Sequence, residues 1–144
     1  MKIKFENALI IKNFDEEPFV GDLVTLNDKI VYVGKKTSET ADLVINAGGN
    51  IIMPSFVDAH THCAMELFKG KGGGKTLQNW LDDMFEKENY LSGQDVYAGT
   101  SLACLELAKN GITTVNDNYF FADHSAKAFA DCGIRAVMGL SQAY

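Results

Sequence analysis

The sequence predicts an α/β protein, namely the N-terminal portion of a β/α barrel with about three barrel strands, preceded by a small β-sandwich segment. Three observations predict it. The first fifty residues fall into short runs rich in Ile, Val and Phe. From Ile51 onward, apolar strands alternate with segments of helical period. Gly111-Ile112 and Gly133-Ile134 open successive strands in the same way, a weak internal repeat of the kind a β/α barrel produces. The predicted division is residues 1-50 for the sandwich segment and 51-144 for the first part of the barrel.

In the first segment, Lys2 to Ile11, Gly21 to Leu26, Lys29 to Val33 and Leu43 to Asn46 read as strands. Asn27-Asp28 is a tight-turn signal between two of them, and Ala47-Gly48-Gly49-Asn50 marks the boundary by its small, flexible residues. The second segment opens with a strand over Ile51 to His62. Behind Thr76 as N-cap, Leu77, Trp80, Leu81, Met84 and Phe85 recur at i, i+3, i+4, i+7 and i+8, one face of a helix. A second helix, about Gln94 to Asn110, places Tyr97, Thr100, Cys104, Leu107 and Ala108 on one side and stops at Gly111. Strand Ile112 to Asn118 follows. A third helix starts near Asp123, turns Ala126, Phe129 and Ala130 inward and stops at Gly133, after which Arg135 to Leu140 reads as a strand. A closed barrel needs eight strands and about 250 residues. Three strands fit after Ile51, so the barrel is expected to be incomplete, with an open sheet edge that favours a homo-oligomer.

Composition narrows the function classes. Apolar residues make up 47% of the 144, enough for a substantial core. Nineteen acidic against thirteen basic residues give a net charge of -6, the wrong sign for nucleic acid or anionic lipid. No apolar stretch approaches the roughly 20 residues of a spanning helix, and no apolar signal core opens the chain, so a cytoplasmic protein is expected. Cys63, Cys104 and Cys132 are odd in number and lack a CxxC pair, which reads as reduced core thiols.

The chemistry lies in Val57-Asp58-Ala59-His60-Thr61-His62. Side chains alternate along a strand, so Asp58, His60 and His62 are expected on one face. Two imidazoles so spaced reach one metal ion, at roughly 2.0–2.1 Å if it is zinc. The carboxyl end of a parallel strand is also where barrel active sites lie. His-x-His pairs do arise by chance in loops, but here a buried strand entered through Pro54 leads into the pair, which uses two of the chain's three histidines. Asp58 either orients a metal ligand through a hydrogen bond or ties down backbone.

Asn50-Ile51-Ile52-Met53-Pro54-Ser55-Phe56-Val57-Asp58-Ala59-His60-Thr61-His62 resembles the first-strand signature of the amidohydrolase superfamily, and the β-rich start resembles that family's N-terminal strands. Met65 to Gly70, Trp80-Leu81, Glu88 and Gly111 to Tyr119 resemble the branch that deaminates methylthioadenosine, S-adenosylhomocysteine and related amino-heterocycles. The resemblance implies a TIM-type barrel and one divalent metal ion, zinc first and iron as the alternative. It also implies His60 and His62 as metal ligands and Glu88 as a substrate-binding carboxylate directed at a nucleoside ribose. The remaining ligands and the catalytic acid/base residues then fall on later strands, outside this chain. Asn118 stands where an apolar residue is common in the branch, and Gly72-Gly73-Gly74 is unusually glycine-rich, which leaves the substrate open.

Other residues carry weaker signals. Trp80 is a substrate platform or simply core. Asp117 is a pocket-rim residue or a cap. His124 follows Asp123 in a polar turn and is expected to be exposed. Lys69, Lys71 and Lys75 lie beside glycines, but the Gly-x-x-x-x-Gly-Lys-Ser/Thr order of a phosphate loop is absent. The expected function is a metal-dependent hydrolase that deaminates a small amino-substituted heterocycle, such as an adenosine derivative, when the chain is full length. The alternatives are cyclic-amide or dechlorinating hydrolysis in the same superfamily, and a catalytically silent fragment that self-associates.

Overall fold

The computed structural model describes residues 1–140, and its chain divides into two compact units, Met1–Pro54 and the part from Ser55 on. The first unit is one five-stranded mixed sheet. β1 (Lys2–Ile10), β2 (Phe19–Leu26) and β3 (Lys29–Gly34) form an antiparallel meander. β4 (Leu43–Asn46) and β5 (Ile51–Ile52) both run parallel to β1, β4 along its first half and β5 along its end. The sequence pattern suggested a small β-meander or part of a sandwich, and the described residues supply a single sheet that contains the meander. Both late strands add to the same free edge of β1 and leave no second layer. Asn27 takes the left-handed φ of 54° that the β2–β3 turn requires.

β1 also carries a bulge between Phe5 and Ala8, where Asn7 adopts a φ of 63°. The bulge turns the Asn7 N–H onto Asp22 Oδ1 at 3.2 Å. Asp22 Oδ2 accepts the Thr37 N–H at 2.9 Å and lies 3.5 Å from Lys4 Nζ. Lys4 in turn reaches Glu6 at 2.8 Å and the Thr37 carbonyl at 2.6 Å. Both Lys4 and Asp22 are buried, and every charge in the cluster has a partner. Burial alone would raise the Asp22 carboxyl, but the two backbone N–H groups and the Lys4 ammonium outweigh it and hold the group below the usual carboxylate range.

The second unit is built on a parallel sheet ordered β6 (Phe56–Thr61), β7 (Ile112–Tyr119), β8 (Arg135–Leu140). The expected strand Ile51 to His62 is therefore two strands. Pro54 lacks a ladder donor, and the strand breaks across it: Ile51-Ile52 pair with β1, and pairing with β7 begins at Phe56. A short 3-10 helix, Cys63–Phe68, follows β6. The three helices are α1 (Leu77–Glu88), α2 (Gly93–Lys109) and α3 (Ala122–Cys132).

Thr76 caps α1 as expected, accepting the Asn79 N–H at 3.4 Å. α2 starts with a reciprocal Ser92/Asp95 capping box. Its buried face is Val96, Gly99, Thr100, Ala103, Cys104 and Leu107, rotated from the Tyr97–Ala108 stripe read in the sequence. Gly99 explains the rotation: a Cβ there would lie 2.5 Å from the Ala64 carbonyl, so this face fits tightly under the 3-10 helix. α3 starts at Ala122, near Asp123 as expected, and its N-cap is Phe121 in the left-handed region. Its buried face is Ser125, Ala128 and Phe129. Gly111 and Gly133 precede β7 and β8 with φ of 72° and 76°, the shared left-handed turn behind the sequence repeat.

The core of this unit joins Cys63, Ala103, Cys104, Leu107, Val115 and Phe129. Cys63 and Cys104 are buried free thiols, both pushed up to about 12 chiefly by burial, whereas Cys132 is exposed rather than in the core. Val115, Asp117 and Tyr119 of β7 are buried, while Asn116, Asn118, Val137 of β8 and Val57 of β6 stay exposed. No helix among the described residues is long and apolar enough to cross a membrane.

Candidate metal centre

Parallel pairing brings the carboxyl ends of β6 and β7 to the same end of the sheet, and the site forms there. Strict alternation along β6 does not survive to His62. The register shifts by one residue between Asp58 and Thr61, a bulge stabilised where Asn116 Nδ2 donates to the Ala59 carbonyl at 3.1 Å. Asp58 accepts the backbone N–H of His60 at 3.2 Å, so its recorded bond is to the bulged backbone and not to a ring. β6 ends at Thr61, and His62 caps the 3-10 helix just beyond it. Even so, the His60 and His62 rings lie side by side, with centroids 4.9 Å apart and edge-on to one another.

His62 is held from β7. Its Nδ1 lies 2.5 Å from the Asn118 carbonyl oxygen. A carbonyl can only accept, so Nδ1 carries the proton and Nε2 keeps the lone pair that a cation needs. Neutral imidazole nitrogens suit zinc or iron, and the two rings fit as two ligands of one site. They do not complete it: among the described residues no cluster of three or more His, Cys, Asp or Glu is placed to hold a metal. Burial pushes the Cys63 thiol, next in the chain, up to about 12.

Asp117 is fully buried behind this turn rather than on a pocket rim. Its Oδ1 accepts the Cys63 N–H at 2.7 Å and so pins the chain immediately after His62, while Oδ2 has no hydrogen-bond partner among the described residues. Burial raises its carboxyl above the ordinary value, only partly offset by Cys63.

Beside His62 lies a cavity of about 270 Å³ walled by Met65, Trp80, Leu81, Met84, Phe85, Asn118, Tyr119 and Phe120, with Glu88 its one carboxylate. Trp80 is half-buried here, and its indole fills the space that a Cβ on Gly72 would occupy, at 2.3 Å. One glycine of the Gly72-Gly73-Gly74 run thus serves Trp80. Glu88, at the last turn of α1, accepts the Tyr119 hydroxyl at 2.7 Å. Burial first, and then this bond to Glu88, holds the Tyr119 phenol far above its usual range. A larger hollow of about 340 Å³ lies between the 3-10 helix and α2, lined by His62 and Cys63 and by the charged Glu66, Lys69 and Glu106. His124 is half-buried rather than exposed, and packs where a side chain on Gly93 would stand.

The sequence singled out His60, His62, Asp58, Trp80 and Glu88, and the structure brings His62, Trp80 and Glu88 to one cavity. Tyr119 and the Asn118 carbonyl were not singled out. The signal for Tyr119 is its alternation with Val115 and Asp117 on β7, whereas a carbonyl leaves no trace in a sequence.

Paired imidazoles at the carboxyl end of a parallel strand, with one of them beside an aromatic cavity, define an α/β protein with a paired-histidine strand end. Residues 51–142 match the amidohydrolase family, and the chain belongs to it. It is 43% identical over 137 residues to a 5'-deoxyadenosine deaminase of Methanosarcina mazei, covering 89% of this chain and 32% of that protein. A 5-methylthioadenosine/S-adenosylhomocysteine deaminase of Pyrococcus horikoshii is 35% identical over 140 residues, covering 96% and 33%. Among solved structures, a zinc-bound adenosine deaminase from Xanthomonas campestris superposes with a TM-score of 0.85 at 27% identity, covering 94% of this chain and 33% of that one. The chain spans about a third of the length of the relatives it matches.

Proposed function

We propose that the complete protein is a metal-dependent aminohydrolase that removes the amino group of a heterocycle of the adenosine type. The observation that carries this reading is the His60–His62 pair, of which His62 has its Nδ1 on the Asn118 carbonyl and lines the aromatic cavity. The named activities of the two archaeal relatives support the substrate class. Zinc in the Xanthomonas structure supports the metal.

His60 and His62 would hold the cation, with further ligands from outside the described residues. When bound, the cation supplies a water that loses its proton near neutral pH. Trp80 and Phe85 give a flat apolar wall for the ring, Glu88 accepts hydrogen bonds from the polar end of the substrate, and Asp58 and Asp117 fix the backbone on either side of the histidines. The parallel sheet β6-β7-β8, with one face under helices and the other open at Val57, Asn116 and Val137, is consistent with the first three strands of a TIM-type barrel. With two ligands only, the 144 residues alone are expected to be inactive. Their open sheet edge and exposed Val57, Val137 and Leu140 favour self-association.

The test is metal analysis of the purified complete protein together with ammonia release from a panel of purines, pyrimidines and triazines. Stoichiometric zinc or iron and release from adenosine derivatives are expected, both lost in His60→Ala and His62→Ala. Absence of metal and of ammonia release across the panel would defeat the reading, and turnover by the isolated 144 residues would overturn their assignment as inactive.

A further inference from the structure

We propose that Tyr119 is a positioning residue: it holds one oxygen of Glu88, so that the other is presented to hydroxyl donors on the substrate. The inference rests on the aminohydrolase reading of the cavity and adds a residue to it.

A carboxylate in a cavity walled by Trp80, Leu81, Met84 and Phe85 needs a hydrogen-bond partner to hold one orientation. Tyr119 is that partner. It is 4% exposed, so its ring cannot swing away, and its hydroxyl donates to Oε1 at 2.7 Å. Oε2 makes no hydrogen bond to any described residue, although Glu88 lines the cavity. One oxygen is thus spoken for and the other is left as an acceptor, able to bind donors such as sugar hydroxyls and to repel anions. Tyr119 directly follows Asn118, whose carbonyl sets the His62 ring, and the Tyr119 and His62 rings are 6.3 Å apart. The end of β7 therefore fixes both the metal-side imidazole and the far-side carboxylate, and their separation sets which substrates reach both at once.

A tether for α1 would be an alternative role for the same bond, and the two predict different kinetics. In the complete zinc-loaded protein, Tyr119→Phe removes the hydroxyl and keeps the packing. For an adenosine derivative with free ribose hydroxyls, kcat/KM is expected to fall about tenfold, mainly through KM, as for loss of one charge-assisted hydrogen bond. For its 2',3'-dideoxy counterpart the change is expected to stay within about twofold. Glu88→Asp, which withdraws the carboxylate from Tyr119 on a helix end that tolerates the change, is expected to reproduce that selective loss should Tyr119→Phe fold poorly. Adding Tyr119→Phe to Glu88→Gln should cause no further loss. An equal loss for both compounds, or none for either, overturns the inference and leaves the aminohydrolase reading intact. If neither compound releases ammonia, that reading fails, and the same comparison by equilibrium dialysis decides Tyr119: the dideoxy preference of the variant supports the role, and equal or absent binding refutes it.

Discussion

Each unit buries one aspartate completely, and the two are treated in opposite ways. In the first unit Asp22 is held by two backbone N–H groups and Lys4, with its carboxyl lowered. In the second, Asp117 has one oxygen on the Cys63 N–H and the other without a partner, and its carboxyl is raised. Buried polar groups are satisfied as a rule, because each orphan costs roughly 1–3 kcal/mol. The satisfied ion cluster is the ordinary structural arrangement, whereas in the second unit a half-satisfied carboxylate lies directly behind the paired-histidine turn.

The largest test of that contrast is Asp22→Asn. An amide keeps one acceptor oxygen but turns an NH₂ toward N–H and ammonium donors, so one backbone donor loses its partner. A loss of about 2–3 kcal/mol in urea unfolding followed by circular dichroism is expected. The cost should also depend on pH. With a folded value below the unfolded one of about 3.9, Asp22 contributes stability that is complete above the unfolded value and disappears as the pH falls through the folded value. The difference between wild type and Asp22→Asn should therefore shrink below about pH 4. A pH-independent difference would mean that the ion cluster is not what holds the sheet.

The next effect belongs to the second unit, where packing rather than charge is decisive. Gly99→Ala gains helix propensity, about 1 kcal/mol, but drives a methyl to within 2.5 Å of the Ala64 carbonyl. A net loss of about 1–2 kcal/mol is expected, and stabilisation would show that the 3-10 helix carrying the turn after His62 is free to move aside. Ser92→Ala, which removes the α2 cap without touching the site, is expected to cost about 1 kcal/mol.

Much of this contrast was legible in the sequence. The strands β4 and β8, the cap at Thr76 and the stops at Gly111 and Gly133 follow from local chemistry, and the structure has them at those residues. What was not legible depends on contacts between distant segments. The division of Ile51–His62 is decided by which sheet each half joins, and the bulge at Ala59-His60 by the Asn116 side chain from another strand. The buried face of α2 was misjudged because Gly99, which contributes no hydrophobic signal, is the closest point of approach. Of the candidate site, the two histidines, Trp80 and Glu88 could be named because their residue types are conspicuous where they stand. Tyr119 shows in the sequence only as a buried position of β7, since its bond to Glu88 joins residues 31 apart in the chain.

The smallest expected effect is the most diagnostic. Asp117→Asn retains an oxygen for the Cys63 N–H and replaces the partnerless Oδ2 with an NH₂, exchanging one unsatisfied buried group for another without its charge. Stability should change by less than about 1 kcal/mol, against the several-fold larger loss at Asp22, although both residues are equally buried. Nitrogen NMR of the His62 ring supplies the second readout: proton placement on Nδ1 depends on the Asn118 carbonyl and should survive the substitution. If Asp117→Asn instead destabilises as much as Asp22→Asn, the orphaned oxygen has a structural partner after all, and burial alone, not its incomplete satisfaction, is what the two aspartates have in common.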